Sequence, residues 1–368
     1  MHIVIIADPL DKQSAGIFYY AKNLITHLFK IDKKNTYTLI KLNSREIAEG
    51  IPSIALKNTF SFLRNDPIRT FFTLPKLIKK LNPDVVVELA HFGPFNLPKK
   101  IKRATVIHDL TPVKFPQFHK FSSQALQRVF FPGIIKRANI LITNSKNTSK
   151  DLQDFYPKSE GKTKFIYLGK SNNFLPKFSE NVLKQYKIKR PYFLTVGTIE
   201  PRKNLNTLLD AFKLFRMNSG KEIDLVISGG IGWKSKSFFD NYFSHPFKDD
   251  IKLVGYINRT DLPYLFSHTD AFIFPSLYEG FGLPVLEAMA CGSACIVSNT
   301  SSLPEVCEDA AIYFNPNSSE ELAKKMELIE NDIVLQKELK KKSIIQAKKF
   351  TWDKYATEFI RIMEENFS

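Results

Sequence analysis

The chain has 368 residues, of which 43% are hydrophobic and 24% are charged, ordinary proportions for a globular protein. This length is long for one core and sufficient for two domains of about 150 to 200 residues. No apolar stretch approaches the ~18 residues that a membrane-spanning helix needs, and the opening MHIVIIADPL predicts a buried strand rather than a secretion signal. The three cysteines, Cys291, Cys295 and Cys307, have neither zinc-site nor redox spacing, so we expect buried free thiols in a cytoplasmic protein.

The net charge of +16 is confined to the first half of the chain. Residues 1–176 contain 28 Lys+Arg and 12 Asp+Glu, whereas the remainder is balanced. A basic half attracts nucleic acid, anionic lipid head groups or a polyanionic substrate, although a solvated lysine-rich surface would have the same composition. No basic run is interleaved with stacking aromatic residues, so we expect no nucleic-acid partner.

Short apolar runs alternate with helical patterns along the whole chain, which predicts parallel sheets with crossover helices. The predicted strands are HIVIIAD, TYTLIKL, DVVVEL, ATVIHD, NILITNS and KFIYLG in the first half, and PYFLTVG, IDLVISGG, IKLVGY, AFIFPS and ACIVSN in the second. We therefore predict an α/β protein of two facing Rossmann-like, doubly wound domains, with a cleft between them. The expected bounds are 1–176 and 177–350, with residues 351–368 forming a helix that packs back on the first domain.

Polar or glycine-containing segments follow five of the predicted strands. They are 11–16, 108–109, 144–145, 197–203 and 278–280. Because ligands of open parallel sheets bind at the carboxyl ends of the strands, these segments predict a ligand site.

The segment GTIEPRKN, residues 197–204, ends a predicted strand and is expected to open a helix with Pro201, Arg202 and Lys203. Exposed amides at a helix start bind anions, and two adjacent cations strengthen such a site. The pattern predicts a clamp for a diphosphate, the alternative being a basic first helical turn without a ligand.

In YEGFGLPVLEAMACG, the glycines allow close approach of a ligand to the backbone, and a short helix is predicted from Val285 to Cys291. Glu287 would lie in the first turn of this helix, where an acid favours the dipole for structural reasons alone. The helix dipole does not explain Glu279, which precedes the predicted helix in a glycine-containing loop. Amides for phosphate together with two acids for hydroxyl groups suit a nucleotide sugar. Because a nucleoside diphosphate is a good leaving group, transfer is favoured over hydrolysis by a carboxyl pair.

Taken together, the seven residues between Glu279 and Glu287, the GTIEPRKN segment, VIHDL, TNSKNTSKDL and the final WDKYA strongly resemble retaining glycosyltransferases of family 4, which have the GT-B fold. The motifs occur in the usual order over nearly the whole chain. One difference is visible, because the usual Gly-Gly pair of the first loop is Ala15-Gly16 here.

This resemblance implies roles for nine positions of the chain. Arg202 and Lys203 would bind the donor diphosphate, and Glu287 would bind the ribose hydroxyls. Glu279, with the backbone of Phe281, Gly282 and Leu283, would contact the transferred sugar. His108 would lie near that sugar from the other domain, and Gly16 would bring the first loop to the phosphates. For His91, which also ends a strand, a site role and a packing role remain equally open.

Metal-dependent transferases hold a divalent ion with a DxD pair, but the chain offers only the adjacent Asp249 and Asp250. Cations and a helix end can neutralise the diphosphate instead. We therefore expect no metal and no cofactor, the nucleotide sugar being a substrate.

The expected activity is retaining transfer of one hexose to a glycan or lipid-linked acceptor in surface polysaccharide or lipopolysaccharide assembly. GDP-mannose is the first candidate donor, with UDP-glucose, UDP-galactose and UDP-GlcNAc open. The segment FSFLRNDPIRTFFTLPKLIKK, residues 60–80, is the candidate for contact with an anionic membrane surface, and a packed amphipathic helix is its alternative. A nucleotide-sugar 2-epimerase of the same fold and a non-catalytic nucleic-acid binder are the alternative functions.

Overall fold

The computed structural model describes residues 1–12, 15–43, 51–58, 68–94, 96–118 and 121–368. It divides into two compact units, Met1–Gly169 with Thr351–Ser368, and Lys170–Phe350. The division after Gly169 precedes the expected boundary at residue 176, and the intervening segment belongs to the second unit.

The first unit contains a seven-stranded parallel sheet in the order β3-β2-β1-β4-β5-β6-β7. Its strands are β1 His2–Ile6, β2 Thr36–Lys41, β3 Ser53–Ala55, β4 Val85–Glu88, β5 Lys102–Ile107, β6 Ile140–Thr143 and β7 Thr163–Phe165. Its helices are α1 Pro9–Lys12, α2 Ala15–Ile31, α3 Leu74–Leu81, α4 Thr111–Lys114, α5 Phe121–Arg137 and α6 Lys146–Phe155, with a π-helical turn at Arg69–Thr73 and 3-10 turns at Pro116–Phe118 and Pro157–Ser159. The central strands are buried on both faces, as their uninterrupted apolar runs predict.

The second unit contains a six-stranded parallel sheet in the order β10-β9-β8-β11-β12-β13. Its strands are β8 Tyr192–Val196, β9 Asp224–Ser228, β10 Ile251–Gly255, β11 Ala271–Phe274, β12 Cys295–Ser298 and β13 Ala311–Phe314. Its helices are α7 Glu180–Gln185, α8 Leu205–Ser219, α9 Lys236–Ser244, α10 Leu262–His268, α11 Leu283–Ala290, α12 Leu303–Cys307, α13 Ser319–Asn331 and α14 Ile333–Ala347, with 3-10 turns at Pro201–Lys203, Lys248–Asp250 and Glu308–Ala310.

The last helix, α15 Trp352–Phe367, belongs to the first unit and packs on α2. The buried hydroxyls of Tyr20 and Tyr355 are hydrogen-bonded at 2.7 Å, and the ring of Trp352 packs against Tyr20. Gly169 lies so close to this helix that a Cβ there would be 2.3 Å from the backbone nitrogen of Trp352.

The predicted fold class of two doubly wound, Rossmann-like domains is confirmed. Each sheet reverses its strand order beside its first strand, between β1 and β4 and between β8 and β11. Such switch points open a crevice at the carboxyl ends of the strands. The edge strands β3 and β13 were not predicted, and β7 occupies Thr163–Phe165 instead of the predicted residues 164–169. Within the described ranges, no helix combines the length and apolarity needed to cross a bilayer.

Replacement of Gly229 by alanine is expected to destabilise the second unit. Gly229 has φ 152° and lies against the backbone of Gly197, so a Cβ would be 1.9 Å from the Gly197 carbonyl oxygen. We expect Gly229→Ala to lower the melting temperature by roughly 5 °C or more, because neither backbone can yield cheaply. Gly230→Ala is the matched control, since its Cβ would meet nothing within 4 Å. Equal melting temperatures for the two variants would contradict this account.

Candidate functional site

Two loops meet at the switch point of the second sheet. The 3-10 turn Pro201–Lys203 follows β8, and the loop 275–282 follows β11, its neighbour in the sheet. The prediction that GTIEPRKN opens an α-helix directly is wrong, because α8 begins only at Leu205, after Asn204 in the left-handed conformation. Arg202 and Lys203 therefore lie on a separate turn, which directs both side chains to the β11 loop.

Glu279 is the centre of a buried ion cluster in which two cations contact the same carboxylate oxygen. Its Oε1 is 2.7 Å from Lys203 Nζ and 2.9 Å from Arg202 Nη1. The side chain of Glu279 is 10% exposed and that of Lys203 is 11% exposed, so both charges are largely removed from water. The Lys203 ammonium also lies over the ring of Phe274, 4.7 Å from its centroid.

Glu200 completes this cluster and was not singled out from the sequence. Its Oε1 accepts hydrogen bonds from Arg202 Nε at 3.1 Å and Nη2 at 2.8 Å, while Arg202 Nη1 donates to the carbonyl oxygen of Tyr278 at 2.8 Å. The guanidinium is thus held on two edges. Two acids and two cations give the cluster no net charge in the free protein.

Burial and charge act in opposite directions on the cluster. Burial alone would raise the pKa of Glu279, but the adjacent Arg202 and Lys203 outweigh it and hold this pKa below its usual value. Burial lowers the pKa of Lys203, and the attraction of Glu279 opposes that effect. Glu279 is therefore ionised at neutral pH.

The backbone around Glu279 is fixed by two serines of the segment that follows β12. Its amide donates to Ser301 Oγ at 2.9 Å, and its carbonyl oxygen accepts from Ser302 Oγ at 3.0 Å. Gly282 precedes α11 with φ 93°, and a Cβ there would be 2.7 Å from Leu303 Cδ2. This glycine is required both for its conformation and for its close packing.

Phe281 and Leu283 lie on either side of Gly282 at the start of α11. The Phe281 side chain is 4% exposed and packs edge-on against Phe350, with ring centroids 5.9 Å apart. Its side chain therefore has a packing role, and the backbone remains the part of this residue suited to a ligand.

The prediction that Glu287 lies in the first turn of its helix is wrong, because α11 begins at Leu283 and its first turn contains no acid. The helix dipole therefore does not account for this buried carboxylate. Instead, Arg259, from the loop before α10, donates Nη2 to Glu287 Oε1. Burial raises the pKa of Glu287, and Arg259 opposes that effect. Arg259 was not identified from the sequence.

In the first unit, His108 follows β5 and both of its ring nitrogens are hydrogen-bonded. Nε2 lies 2.8 Å from the carbonyl oxygen of Leu89, so it carries the proton, and Nδ1 accepts from Asn144 Nδ2 at 2.8 Å. The His108 backbone amide donates to His91 Nε2 at 2.8 Å. Burial, with the neighbouring His91, lowers the pKa of His108 to about 4, so the imidazole is neutral at physiological pH.

The remaining predicted positions are placed as follows. Gly16 is exposed near the start of α2, and a Cβ there would meet nothing within 4 Å. Asp250 is paired with Arg216. The three cysteine thiols are free and buried, as predicted. Over the described residues, no three His, Cys, Asp or Glu side chains are grouped as a metal site would require.

Family models match most of the chain. Residues 37–169 match the family described as Glycosyltransferase Family 4, and residues 179–350 match Glycosyl transferases group 1. The chain belongs to this family of glycosyltransferases, and is therefore an enzyme of sugar transfer.

Two O-antigen mannosyltransferases align over most of the chain. O-antigen chain mannosyltransferase B of Escherichia coli is 27% identical over 98% of both chains. O-antigen chain mannosyltransferase RfbU of Salmonella typhimurium is 25% identical, over 84% of this chain and 85% of its own.

Solved structures share the fold at lower identity. Sucrose-phosphate synthase from Thermosynechococcus elongatus has a TM-score of 0.79 with 19% identity, over 99% of this chain and 98% of its own. WaaG, a glycosyltransferase involved in lipopolysaccharide biosynthesis, has a TM-score of 0.75 with 14% identity, over 98% of this chain and 99% of its own. HepE from Anabaena, solved with UDP-glucose, has a TM-score of 0.74 with 15% identity, over 99% of this chain and 100% of its own. These likenesses agree with the predicted GT-B fold.

The neutral state of His108 can be measured directly. We expect nitrogen NMR of the imidazole to record the tautomer protonated at Nε2 from pH 8 down to about pH 5, because the pKa is about 4. Asn144→Asp places a carboxylate beside Nδ1 and is expected to raise this pKa by at least about one unit. A wild-type His108 that is half-protonated near pH 6.5 would contradict the hydrogen-bond assignment.

Proposed function

We propose that the chain transfers a mannosyl group from GDP-mannose to a hydroxyl of a surface glycan or its lipid-linked precursor, with retention of configuration. The O-antigen mannosyltransferases that align over most of the chain support the choice of mannose and of the glycan. The buried cluster of Glu279 with Arg202 and Lys203 supports binding of the donor at the switch point of the second sheet.

The cations of this cluster are suited to a diphosphate. Lys203 and Arg202 converge on one oxygen of Glu279, so an anion that approaches Glu279 encounters two donors already aimed at it. Glu200 limits the freedom of the Arg202 guanidinium, which reduces the ordering cost on binding. As the phosphate oxygens take up the hydrogen bonds of Lys203 and Arg202, Glu279 becomes an acceptor for sugar hydroxyls.

The start of α11 adds backbone donors to the cations. The amides of Gly282 and Leu283 lie at the helix N-terminus, where the dipole favours negative charge. The left-handed conformation of Gly282 sets the course of the main chain at this helix start, where the sugar or a phosphate oxygen is proposed to approach. Glu287, on the same helix, is proposed to accept hydrogen bonds from the ribose.

In the proposed reaction the acceptor hydroxyl attacks the anomeric carbon on the face from which the diphosphate leaves. A bond forms between the acceptor oxygen and that carbon, the bond from the carbon to the phosphate oxygen breaks, and the acceptor proton moves to the departing phosphate. Arg202, Lys203 and the helix amides stabilise the charge that develops on the leaving group. This route requires no protein nucleophile and no metal.

His108 is proposed to assist at the sugar as a neutral residue. Its pKa of about 4 excludes it as a proton donor at neutral pH. A sugar hydroxyl that accepts from Nε2 must replace the carbonyl oxygen of Leu89, whereas the backbone position of His108 is kept by His91. Gly16, near the start of α2, is proposed to allow close approach of the donor phosphates to the main chain.

Lys203→Met is expected to lower kcat/KM for mannosyl transfer by about 100-fold or more, because the leaving phosphate loses a preorganised cation. Lys236→Met is the matched control, since Lys236 is an exposed lysine of α9 in the same unit. The measurement is transfer from GDP-mannose to octyl α-mannoside, followed by mass spectrometry, with UDP-glucose, UDP-galactose and UDP-GlcNAc as competing donors.

The same assay tests the other parts of the proposal. Transfer is expected to continue in excess EDTA, and the first product detected by proton NMR is expected to have the α configuration of the donor. Equal activity of the Lys203 and Lys236 variants would overturn the assigned site. Transfer from a UDP-sugar alone would overturn the choice of donor but leave the site intact.

A membrane surface is the proposed location of the acceptor. Of the predicted segment, residues 60–67 lie outside the described residues. The rest shows Phe72 with 70% exposure, and Lys76, Lys79 and Lys80 exposed on α3. These lysines follow Phe72 at intervals of four, seven and eight, which is typical of one helix face. An aromatic anchor with lysines suits anionic head groups.

Lys79→Glu/Lys80→Glu is expected to abolish most of the sedimentation of the protein with vesicles of phosphatidylcholine and phosphatidylglycerol, because repulsion replaces attraction near the surface. Lys324→Glu/Lys337→Glu, two exposed lysines of the second unit, produces the same change of net charge and serves as the control. Neither variant is expected to sediment with vesicles of phosphatidylcholine alone. An equal loss in both variants would show that net charge, rather than this face of α3, determines vesicle binding.

A further inference from the structure

The ion pair between Arg259 and Glu287 has different members from the charged cluster around Glu279. Arg259 lies in the loop between β10 and α10, and Glu287 lies in the second turn of α11. The side chain of Glu287 is 6% exposed, whereas that of Arg259 is 25% exposed. The carboxylate therefore depends on this guanidinium for compensation of its charge.

The guanidinium is held from a second direction by an aromatic ring. It lies over Phe174, 4.6 Å from the ring centroid, and Phe174 is itself fully buried and packed against Phe266. A planar cation stacked on a fixed ring has few alternative positions.

The loop that carries Arg259 is also fixed. The amide of Asp261 donates to the carbonyl oxygen of Asn258 at 2.9 Å, and Asp261 Oδ2 accepts from the hydroxyl of Tyr186 at 2.7 Å. The position of Arg259 is thus fixed by the turn of its own loop, by stacking on Phe174 and by the ion pair with Glu287.

Only one oxygen of Glu287 is engaged in this way. Arg259 contacts Oε1, and among the described residues no hydrogen bond is recorded for Oε2. An ionised carboxylate with one oxygen anchored and the other available accepts a hydroxyl hydrogen in a single defined direction. Burial acts against this ionisation by raising the pKa of Glu287, and Arg259 acts for it.

We propose that Arg259 is a positioning residue for the ribose of the donor, which fixes Glu287 so that its second oxygen accepts a ribose hydroxyl. This inference rests on the proposed function, because it takes Glu287 as the ribose acceptor. It assigns to Arg259 no contact with the reacting atoms. Its effect is confined to the recognition of the ribose, and therefore to the preference of the site for a nucleotide with hydroxyls at positions 2′ and 3′.

The test compares GDP with 2′,3′-dideoxy-GDP by calorimetry, because the ratio of their Kd values isolates the ribose hydroxyls from the phosphates. For the wild type we expect GDP to bind at least about tenfold more tightly, since a hydroxyl bonded to a charged carboxylate is lost in the analogue. Arg259→Met is expected to reduce this ratio to nearly one. Arg259→Lys, which retains the charge without the fork or the stacking, is expected to restore part of it.

A double-mutant cycle tests whether Arg259 acts through Glu287. Glu287→Gln should also reduce the ratio, and addition of Arg259→Met to that variant should cause little further change. If Arg259→Met fails to fold by its melting temperature, Arg259→Gln replaces it as the neutral variant.

The outcomes separate this inference from the function on which it rests. A wild-type ratio in the neutral Arg259 variant, or fully additive effects in the cycle, would overturn the role of Arg259 while GDP still binds. Absence of heat with GDP, UDP and their sugars in the wild type would instead overturn the proposed donor site, and this inference with it.

Discussion

The candidate site of the second unit is built around one interaction, the approach of Lys203 and Arg202 to a single oxygen of Glu279. It ties the loop after β8 to the loop after β11 at the point where the sheet reverses its order. A buried charge is tolerated only when its partners are close, so loss of one member leaves the others uncompensated and costs about 3 to 5 kcal/mol. The same pairing keeps two cations together before any anion arrives. Stability and preorganisation are thus provided by the same residues.

The sequence predicted the buried central strands and the edge strand β10, but it missed the edge strands β3 and β13 and misplaced β7. Strands such as β4 and β11 are buried throughout, and their continuous apolar runs are unmistakable. β3 has only three residues, half-buried or exposed, and β13 has two half-buried residues and follows directly on a 3-10 turn. Such edges lack a periodic signal, because only one neighbouring strand constrains them. β7 ends at Phe165 although its apolar pattern continues, since pairing with β6 ends there.

The site was predictable only as far as its residues are adjacent in sequence to strand ends. Arg202, Lys203 and Glu279 could be brought together in this way, because neighbouring parallel strands end at one edge. The residues that pair with these side chains and shift their pKa values could not be predicted in this way. Arg259 contacts Glu287 across 28 positions, from a loop without a recognisable motif. Glu200 lies within GTIEPRKN, yet its hydrogen bonds to Arg202 require a turn in place of the predicted helix start.

The two acids of the motif have opposite environments, although only seven residues separate them in a single segment. Two cations hold the pKa of Glu279 below its usual value, whereas burial raises that of Glu287 against one cation. In a glycosidase such a divergence would assign one base and one acid. Here Glu287, the acid with the raised pKa, is also paired with an arginine, so proton donation would require its carboxyl group to give up that ion pair. Both carboxylates are instead arranged as hydrogen-bond acceptors, each anchored by cations through its Oε1. That arrangement suits polyol hydroxyls and leaves departure of the diphosphate to the cations and amides around it.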